Sequence, residues 1–401
     1  MSNDLRTNQR LRIYLSLMFV IILPEGLMIN LGFQSSSYGS LVSWLVCILL
    51  LSFKFGNNSV IDKTFVTAAF IGIIMCFLSL AIGILVNKNF DYVRFMESLC
   101  LLIVELMAAF MLAFRLGKIN NDEIDQLLVS FAKSLLIFSF LILWYWFISP
   151  PVAKPMIFFT EPSHYSLAAS PFFIYYIVKK KGKKAFIFSL LVVISAILLQ
   201  NMTLLIPVII AVFLLSKKYF IVFLFLMVVS LPLIVPTFTT YASMRTVGLF
   251  DPENNGNLSS LVYSQGWEYF IYSVKNLNGI GLGFQQLGQV RLASYSQELL
   301  EVRGYQLNKN DGSFLFSKLF VEFGWLCVPF ILIYVRWLYP LYIGLSSSRF
   351  SNNWSLFVST TIIGFSIPLF VRNTSYFNPG IFIFLVSIAG FIVAKRKKLY
   401  Y

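Results

Sequence analysis

The sequence is poor in charge, in histidine and in cysteine, and each shortage excludes a class of protein. Only 12% of the 401 residues are charged, whereas 58% are hydrophobic, a balance that no soluble domain of this size needs. Histidine occurs once, as His164, and the four cysteines all lie inside apolar runs. Neither residue type is spaced as in a metal site, and no Asp-x-Asp pattern occurs. We therefore expect no metal site, no disulfide framework and no cofactor.

Apolar runs fill most of the chain instead. Most are close to the ~20 residues that cross a hydrocarbon core about 30 Å thick. Twelve candidate spans are found, at residues 11–31, 39–55, 64–86, 94–116, 127–149, 164–178, 185–200, 202–215, 219–236, 313–336, 353–371 and 376–394. The predicted fold class is an all-α polytopic integral membrane protein of about twelve transmembrane helices, with residues 1–401 as one membrane domain.

The net charge of +14 follows from topology. Basic residues fall in the short loops between spans, and in a twelve-span register every basic loop lies on one side of the membrane. Lys179–Lys184 and Lys395–Lys398 are the densest of these clusters. The positive-inside rule makes that side cytoplasmic and places both termini there. We therefore expect no nucleic-acid partner.

The longest connection, residues 237–312 between spans nine and ten, falls on the outer side of that register. Within it Tyr263, Trp267, Phe270 and Val274 recur at steps of four, three and four, which is the spacing of one helix face. This pattern predicts an amphipathic helix lying at the membrane surface.

Glu161-Pro162-Ser163-His164 gathers a carboxylate, a hydroxyl and the imidazole where an outer loop meets span six. Two interpretations are open. In the first the motif is only a helix start, with Ser163 as the N-cap and Pro162 keeping the preceding residue extended. In the second the helix N-terminus binds an anionic ligand, Glu161 accepts a proton from a hydroxyl, and His164 binds a phosphate or orients the acid.

The outer loop also carries arginines. Arg245, Arg291 and Arg303 are candidates for binding pyrophosphate, because guanidinium groups bind oxyanions in a bidentate manner. A solvated loop of mixed charge explains them equally well. Gly279–Gly283 has the spacing of a dinucleotide fingerprint, but no strand precedes it, so we interpret it as a tight turn near the bilayer.

Charged residues inside the spans mark either a functional cavity or a structural pair. Lys318 and Glu322 are four residues apart, a spacing that lets them pair along one face of span ten. Arg94 and Glu97, three residues apart at the outer end of span four, are expected to pair in the same way. Glu105 lies deeper in that span without a local partner, and Glu25 lies near the outer end of span one.

These motifs resemble those of one family. Glu161-Pro162-Ser163 after an outer loop resembles the Glu-Pro-Ser signature of bacterial O-antigen polymerases of the Wzy type. Residues 278–284, Asn-Gly-Ile-Gly-Leu-Gly-Phe, are similar to the glycine-rich stretch of the O-antigen polymerase and ligase superfamily. Residues 310–313 and 322–325 resemble the segment that closes its large outer loop. The chain departs from the pattern at Lys309, where ligases of the superfamily carry a histidine.

The resemblance implies a GT-C-like membrane glycosyltransferase of the bacterial inner membrane that works without a metal. Such a polymerase transfers a growing glycan from undecaprenyl pyrophosphate onto a new lipid-linked repeat unit at the periplasmic face. An O-antigen ligase, or a flippase or transporter of lipid-linked oligosaccharide, are the alternatives. The expected partners are the undecaprenyl-pyrophosphate-linked oligosaccharide, membrane lipids and a chain-length regulator protein.

A leaving pyrophosphate needs positive charge beside it, since stabilising a developing anion is usually the largest catalytic contribution. The residues expected to be catalytic are Glu161, His164, Arg245, Arg291 and Arg303. The residues expected to bind substrate are Ser163, Tyr165, Gly281, Gly283, Asn310, Asp311 and Arg372.

The charge register makes a prediction about topology. A cysteine introduced at position 270 should react with a membrane-impermeant thiol reagent added to the periplasmic side. Cysteines at positions 181 and 397 should react only after the membrane is opened, because both lie in basic cytoplasmic segments. Labelling of position 181 from outside would overturn the twelve-span register.

Overall fold

The structure is a computed structural model. It describes residues 3–33, 35–52, 63–87, 89–148, 156–215, 258–305, 307, 309–346, 352–373 and 375–396. These residues are helical, with connecting turns and no strand within the described ranges. The helices are α1 (Asn3–Leu31), α2 (Ser36–Ser52), α3 (Lys63–Val86), α4 (Tyr92–Leu116), α5 (Asn121–Ile148), α6 (Pro162–Lys180), α7 (Gly182–Leu198), α8 (Leu205–Leu215), α9 (Leu258–Asn276), α10 (Tyr295–Val302), α11 (Leu315–Phe323), α12 (Val328–Ser346), α13 (Asn353–Gly364), α14 (Ser366–Phe370) and α15 (Pro379–Arg396).

Six of the described helical segments are long and apolar enough to cross a membrane, and three shorter ones are apolar. The protein is therefore membrane-embedded and all-helical over the described residues, as the sequence predicts. Helices occupy eleven of the twelve predicted spans, and the count of twelve crossings stays a prediction. The ninth, residues 219–236, lies outside the described residues, as does Arg245.

Helix α6 is the centre of the bundle. Every residue from Tyr165 to Val178 is buried, and α5, α7, α8, α13 and α15 all pack against it. A helix that other helices cover on every side can be apolar around its whole circumference although it does not face lipid. The Glu161 motif stands at the N-terminus of this enclosed helix, so the position of the motif is fixed by the whole bundle.

The outer loop contains the predicted helix, α9, but its aromatic face meets protein. The Trp267 and Phe314 rings have centroids 5.0 Å apart, and the Phe270 ring lies 4.7 Å from that of Phe320. The expectation of a helix lying on the membrane surface through this face is therefore corrected. The aromatic residues of α11 and of the turn before it cover the face, a partner that the periodicity of α9 alone does not reveal.

The glycine-rich residues 278–284 form a turn, as predicted, and residues 278–287, called the docking turn below, lie against α11. The amides of Leu282 and Gly283 donate to the carbonyl oxygens of Val321 and Glu322, each at 2.9 Å. A Cβ atom on Gly281 would lie 2.3 Å from the Glu322 carbonyl oxygen. Glycine is required because the two backbones touch.

The side chain of Glu322 fastens the same region. It is fully buried, and its carboxylate accepts hydrogen bonds from the amides of Gln285 and Leu287 at 2.9 and 3.2 Å. The Tyr376 hydroxyl donates to it at 2.8 Å. One carboxylate thus joins the docking turn to the segment that precedes α15.

Lys318 balances this charge, which confirms the predicted pair along one helix face. Its Nζ lies 3.7 Å from the Glu322 carboxylate and 3.7 Å from that of Asp311. It also donates to the Asn310 carbonyl at 2.6 Å. The Lys318–Glu322 pair therefore holds three outer segments together: the docking turn, residues 310–311 and the stretch around Tyr376.

Candidate functional site

The start of α6 differs from the predicted cap. Glu161 is the N-cap residue, in extended geometry, and Pro162 occupies the first turn, a position that proline favours because it has no N–H to lose. Ser163 is inside the helix, and its hydroxyl donates to Glu161 Oε2 at 2.9 Å. The prediction of Ser163 as the N-cap is therefore wrong, because with proline as the first helical residue the helix starts two residues earlier. The Glu161 side chain makes no capping hydrogen bond and faces other groups.

One of those groups is Arg372. Its guanidinium donates to Glu161 Oε2 at 3.0 Å, so the turn after α14 meets the start of α6. Partial burial alone would raise the pKa of the Glu161 carboxyl, but the charge of Arg372, the charge of His164 when its imidazole is protonated, and the Ser163 hydrogen bond hold that pKa below its usual value. Glu161 is therefore ionised at neutral pH, with about half of its side chain exposed.

A second carboxylate lies on the other side of the histidine. Glu25 Oε1 is 2.8 Å from His164 Nδ1. Glu25 Oε2 accepts hydrogen bonds from both the amide and the hydroxyl of Thr160, each at 2.7 Å. Glu25 is only 5% exposed, so its charge depends on these three donors.

The single hydrogen of the Thr160 hydroxyl determines whether His164 Nδ1 carries a proton. The Thr160 hydroxyl has one hydrogen, which it donates to Glu25, and its oxygen lies 2.8 Å from His164 Nδ1. The nitrogen must therefore carry the proton in this contact. Because Nδ1 is occupied by Glu25 and Thr160, Nε2 is the nitrogen left for a substrate. This is the arrangement in which a carboxylate fixes the tautomer of a histidine base.

Backbone and amide contacts hold the cluster in place. Asn201, at the turn between α7 and α8, donates to the Pro162 carbonyl at 2.6 Å and so fixes the first turn of α6. The Asn373 amide donates to the Ser313 carbonyl at 2.8 Å, which places Arg372 against the end of the outer loop. The cluster of Glu25, Glu161, His164 and Arg372 thus joins helices α1 and α6 to the turn after α14.

The structure brings together only part of the predicted site. Glu161, Ser163, His164 and Arg372 meet, as described. Tyr165 lies inside the bundle, where its hydroxyl donates to the Leu135 carbonyl at 2.6 Å, so it contributes to packing.

Other predicted site residues have structural contacts of their own. Gly281 and Gly283 serve the docking turn. Arg291 is 74% exposed in its side chain and lies 3.5 Å from Glu301. Arg303 ends α10, and neither arginine is among the contacts of the Glu161 cluster.

Glu25, and Thr160 that donates to it, were not assigned a role from the sequence. Glu25 stands out in the sequence as a carboxylate in an apolar span, but its partner is more than a hundred residues away. Thr160 precedes the motif and carries no signal of its own. Partners brought together from distant spans leave no trace in spacing.

Comparison of the chain with protein-family models, with characterised proteins and with solved structures finds no match to any of the three. The family resemblance therefore rests on the short motifs alone, and the geometry of the cluster carries the functional argument.

The burial of Glu25 makes a prediction about stability. Glu25→Ala removes a buried carboxylate and leaves His164 and the Thr160 amide without their partner, which should cost about 3 kcal/mol or more. Glu161→Ala removes a carboxylate that is about half exposed from Arg372, whose side chain is 12% exposed, and should cost less than Glu25→Ala because less of the lost carboxylate is buried. Apparent melting temperatures of the two purified variants in detergent at pH 7 measure the difference. Equal melting temperatures would contradict the assigned burial.

Proposed function

We propose that the chain is a membrane glycosyltransferase that polymerises a surface polysaccharide, O-antigen or a related glycan, without a metal. The observation that carries this proposal is the meeting of Glu161, His164 and Arg372 at the N-terminus of α6. A carboxylate, an imidazole with one free nitrogen and a guanidinium are the groups that activate a hydroxyl and stabilise a leaving pyrophosphate.

The proposed reaction forms one glycosidic bond. A hydroxyl oxygen of the acceptor repeat unit attacks C1 of the sugar that is linked to undecaprenyl pyrophosphate. The C1–O bond to the pyrophosphate breaks, and its electron pair leaves with the pyrophosphate. The proton of the attacking hydroxyl goes to His164 Nε2. No metal or redox partner is needed for this balance.

Each residue has a separate part. Glu25 holds the His164 Nδ1 proton and stabilises the imidazolium that forms, since its Oε1 lies 2.8 Å from that nitrogen. Glu161 is a weak base because its pKa is lowered, and it serves to accept a hydrogen bond from the acceptor hydroxyl and orient it. The Nε of Arg372 is buried, so Arg372 offers the terminal N–H groups of its guanidinium to the departing pyrophosphate.

The architecture that we propose with this function has twelve spans of the GT-C type in the bacterial inner membrane. Both termini are cytoplasmic, and the Glu161 cluster faces the periplasm. The substrate would be an undecaprenyl-pyrophosphate-linked oligosaccharide, and a chain-length regulator would be a partner. The positive-inside register of the basic loops supports this orientation.

Residue substitutions test the proposed chemistry. Glu161→Gln and His164→Ala should each abolish or severely reduce polymer formation, because a positioned base contributes about 10²–10⁴-fold. Arg372→Lys should also fail, since a lysine loses the bidentate fork. The measurement is a polysaccharide ladder on a gel, read together with the abundance of the protein in the membrane.

Matched changes elsewhere serve as controls. Glu298→Gln, on an exposed position of α10, and Arg336→Lys, on an exposed position of α12, should give normal ladders. Normal ladders from both Glu161→Gln and His164→Ala would remove the motif from the catalytic site. A deletion strain that keeps one repeat indicates a polymerase, whereas loss of every repeat indicates a ligase or a flippase.

A further inference from the structure

A cavity of about 670 Å³ lies beside α2 and α4, and none of the four residues of the Glu161 cluster lines it. Its outer end is polar, and hydroxyl, amide and carboxylate groups from four segments surround it. The polar residues at this end are Ser35, Ser36, Ser37, Gln285, Asn310, Asp311 and Ser375. Three of those segments are the docking turn, residues 310–311 and the stretch around Tyr376. Contacts with Lys318 and Glu322 hold these segments in place, and this wall of the cavity with them.

The inner end of the cavity is apolar. Leu41 on α2 and Leu101 and Val104 on α4 line it. Along α4 the lining runs from Arg94 to Val104, ten residues, or about 15 Å at 1.5 Å per residue. The cavity therefore passes from a polar mouth to hydrocarbon depth along one helix.

One wall opens toward the bilayer. Met96 and Cys100 line the cavity, and both are exposed in the described structure. They continue along α4 into Ile103 and Met107, which are also exposed, at the spacing of a single helix face. In a membrane-embedded helix this face meets lipid, so a ligand can enter the cavity from the bilayer.

The mouth also holds a guanidinium. Among the described residues, no carboxylate lies within ion-pair distance of Arg94, so the expected Arg94–Glu97 pair is not formed. Of the two carboxylates that line the cavity, Asp311 is drawn to Lys318, and Glu97 is exposed. Arg94 is thus free to bind an oxyanion, while Glu97, Asn310 and the serines suit sugar hydroxyls.

We propose that this cavity binds the lipid-phosphate end of the acceptor, a lipid-linked glycan, with Arg94 on the phosphate and the isoprenoid chain along Leu101 and Val104. The proposal rests on the proposed function and adds its lipid-binding site. Ser375 lines the mouth and is three residues from Arg372, a distance of at most about 11 Å along the chain. A glycan attached at the mouth can therefore reach the Glu161 cluster.

Binding of undecaprenyl phosphate to the purified full-length protein in nanodiscs tests the site. The wild type should bind this probe saturably. Arg94→Gln should weaken binding at least about tenfold through loss of a charge-assisted hydrogen bond. Val104→Trp should abolish binding by filling the apolar end. Lys275→Gln on α9 and Leu332→Trp at an exposed position of α12 are the matched controls, and both should bind like the wild type.

The outcomes separate the possible ligands and the two proposals. If phosphatidylglycerol competes as well as undecaprenyl phosphate does, the cavity holds ordinary bilayer lipid and the proposal is overturned. Unchanged binding by Arg94→Gln and Val104→Trp, with unchanged melting temperatures, overturns it as well. Glu161→Gln should bind the probe normally although it makes no polymer, so a failure of the catalytic proposal is distinguished from a failure of the lipid site.

Discussion

The arrangement of the segments around residues 278–322 depends on one buried carboxylate, that of Glu322. A charge in a membrane-embedded core is tolerated only where it is paired and hydrogen-bonded. Glu322 meets that demand with Lys318, Tyr376 and two amides of the docking turn. Satisfying one charge thus fixes the glycine-rich turn, residues 310–311 and the segment before α15 relative to each other. Those same segments form the polar mouth of the α2–α4 cavity. The hydrogen bonds and the ion pair that satisfy Glu322 therefore also hold the wall of the proposed lipid site in position.

The same constraint shapes the Glu161 cluster. Glu25 is buried, and its charge is balanced by His164 and Thr160. The contact between Glu25 and His164 Nδ1 orients the imidazole and leaves Nε2 without a partner in the cluster. Glu161 is about half exposed and pairs with Arg372, whose side chain is 12% exposed. The cluster accordingly has a buried part that holds the histidine and one carboxylate at its exposed edge. A base oriented in advance, beside an ionised carboxylate and a guanidinium, fits the chemistry of glycosyl transfer better than it fits a helix start alone.

Features set by local sequence were predictable. The apolar runs predicted the helices, the four-residue spacing of Lys318 and Glu322 predicted their pair, and the glycine spacing predicted a tight turn. Each of these features depends on residues that are close together in the chain. Contacts between distant spans were not predictable. The pairing of Glu25 with His164, and of Trp267 with Phe314, arises from packing that no periodicity encodes. Ser163 was misassigned as a cap because proline at the first helical position places the helix start two residues earlier.

The central claim is that the Glu161 cluster forms glycosidic bonds. The most direct measurement uses purified protein in proteoliposomes with one undecaprenyl-pyrophosphate-linked repeat unit as the only substrate. The account predicts lipid-linked products of two and more repeats, with one undecaprenyl pyrophosphate released for each bond formed. It also predicts that the His164→Ala variant forms none. Movement of the substrate across the membrane without bond formation, or equal polymer yield from the His164→Ala variant, would contradict it.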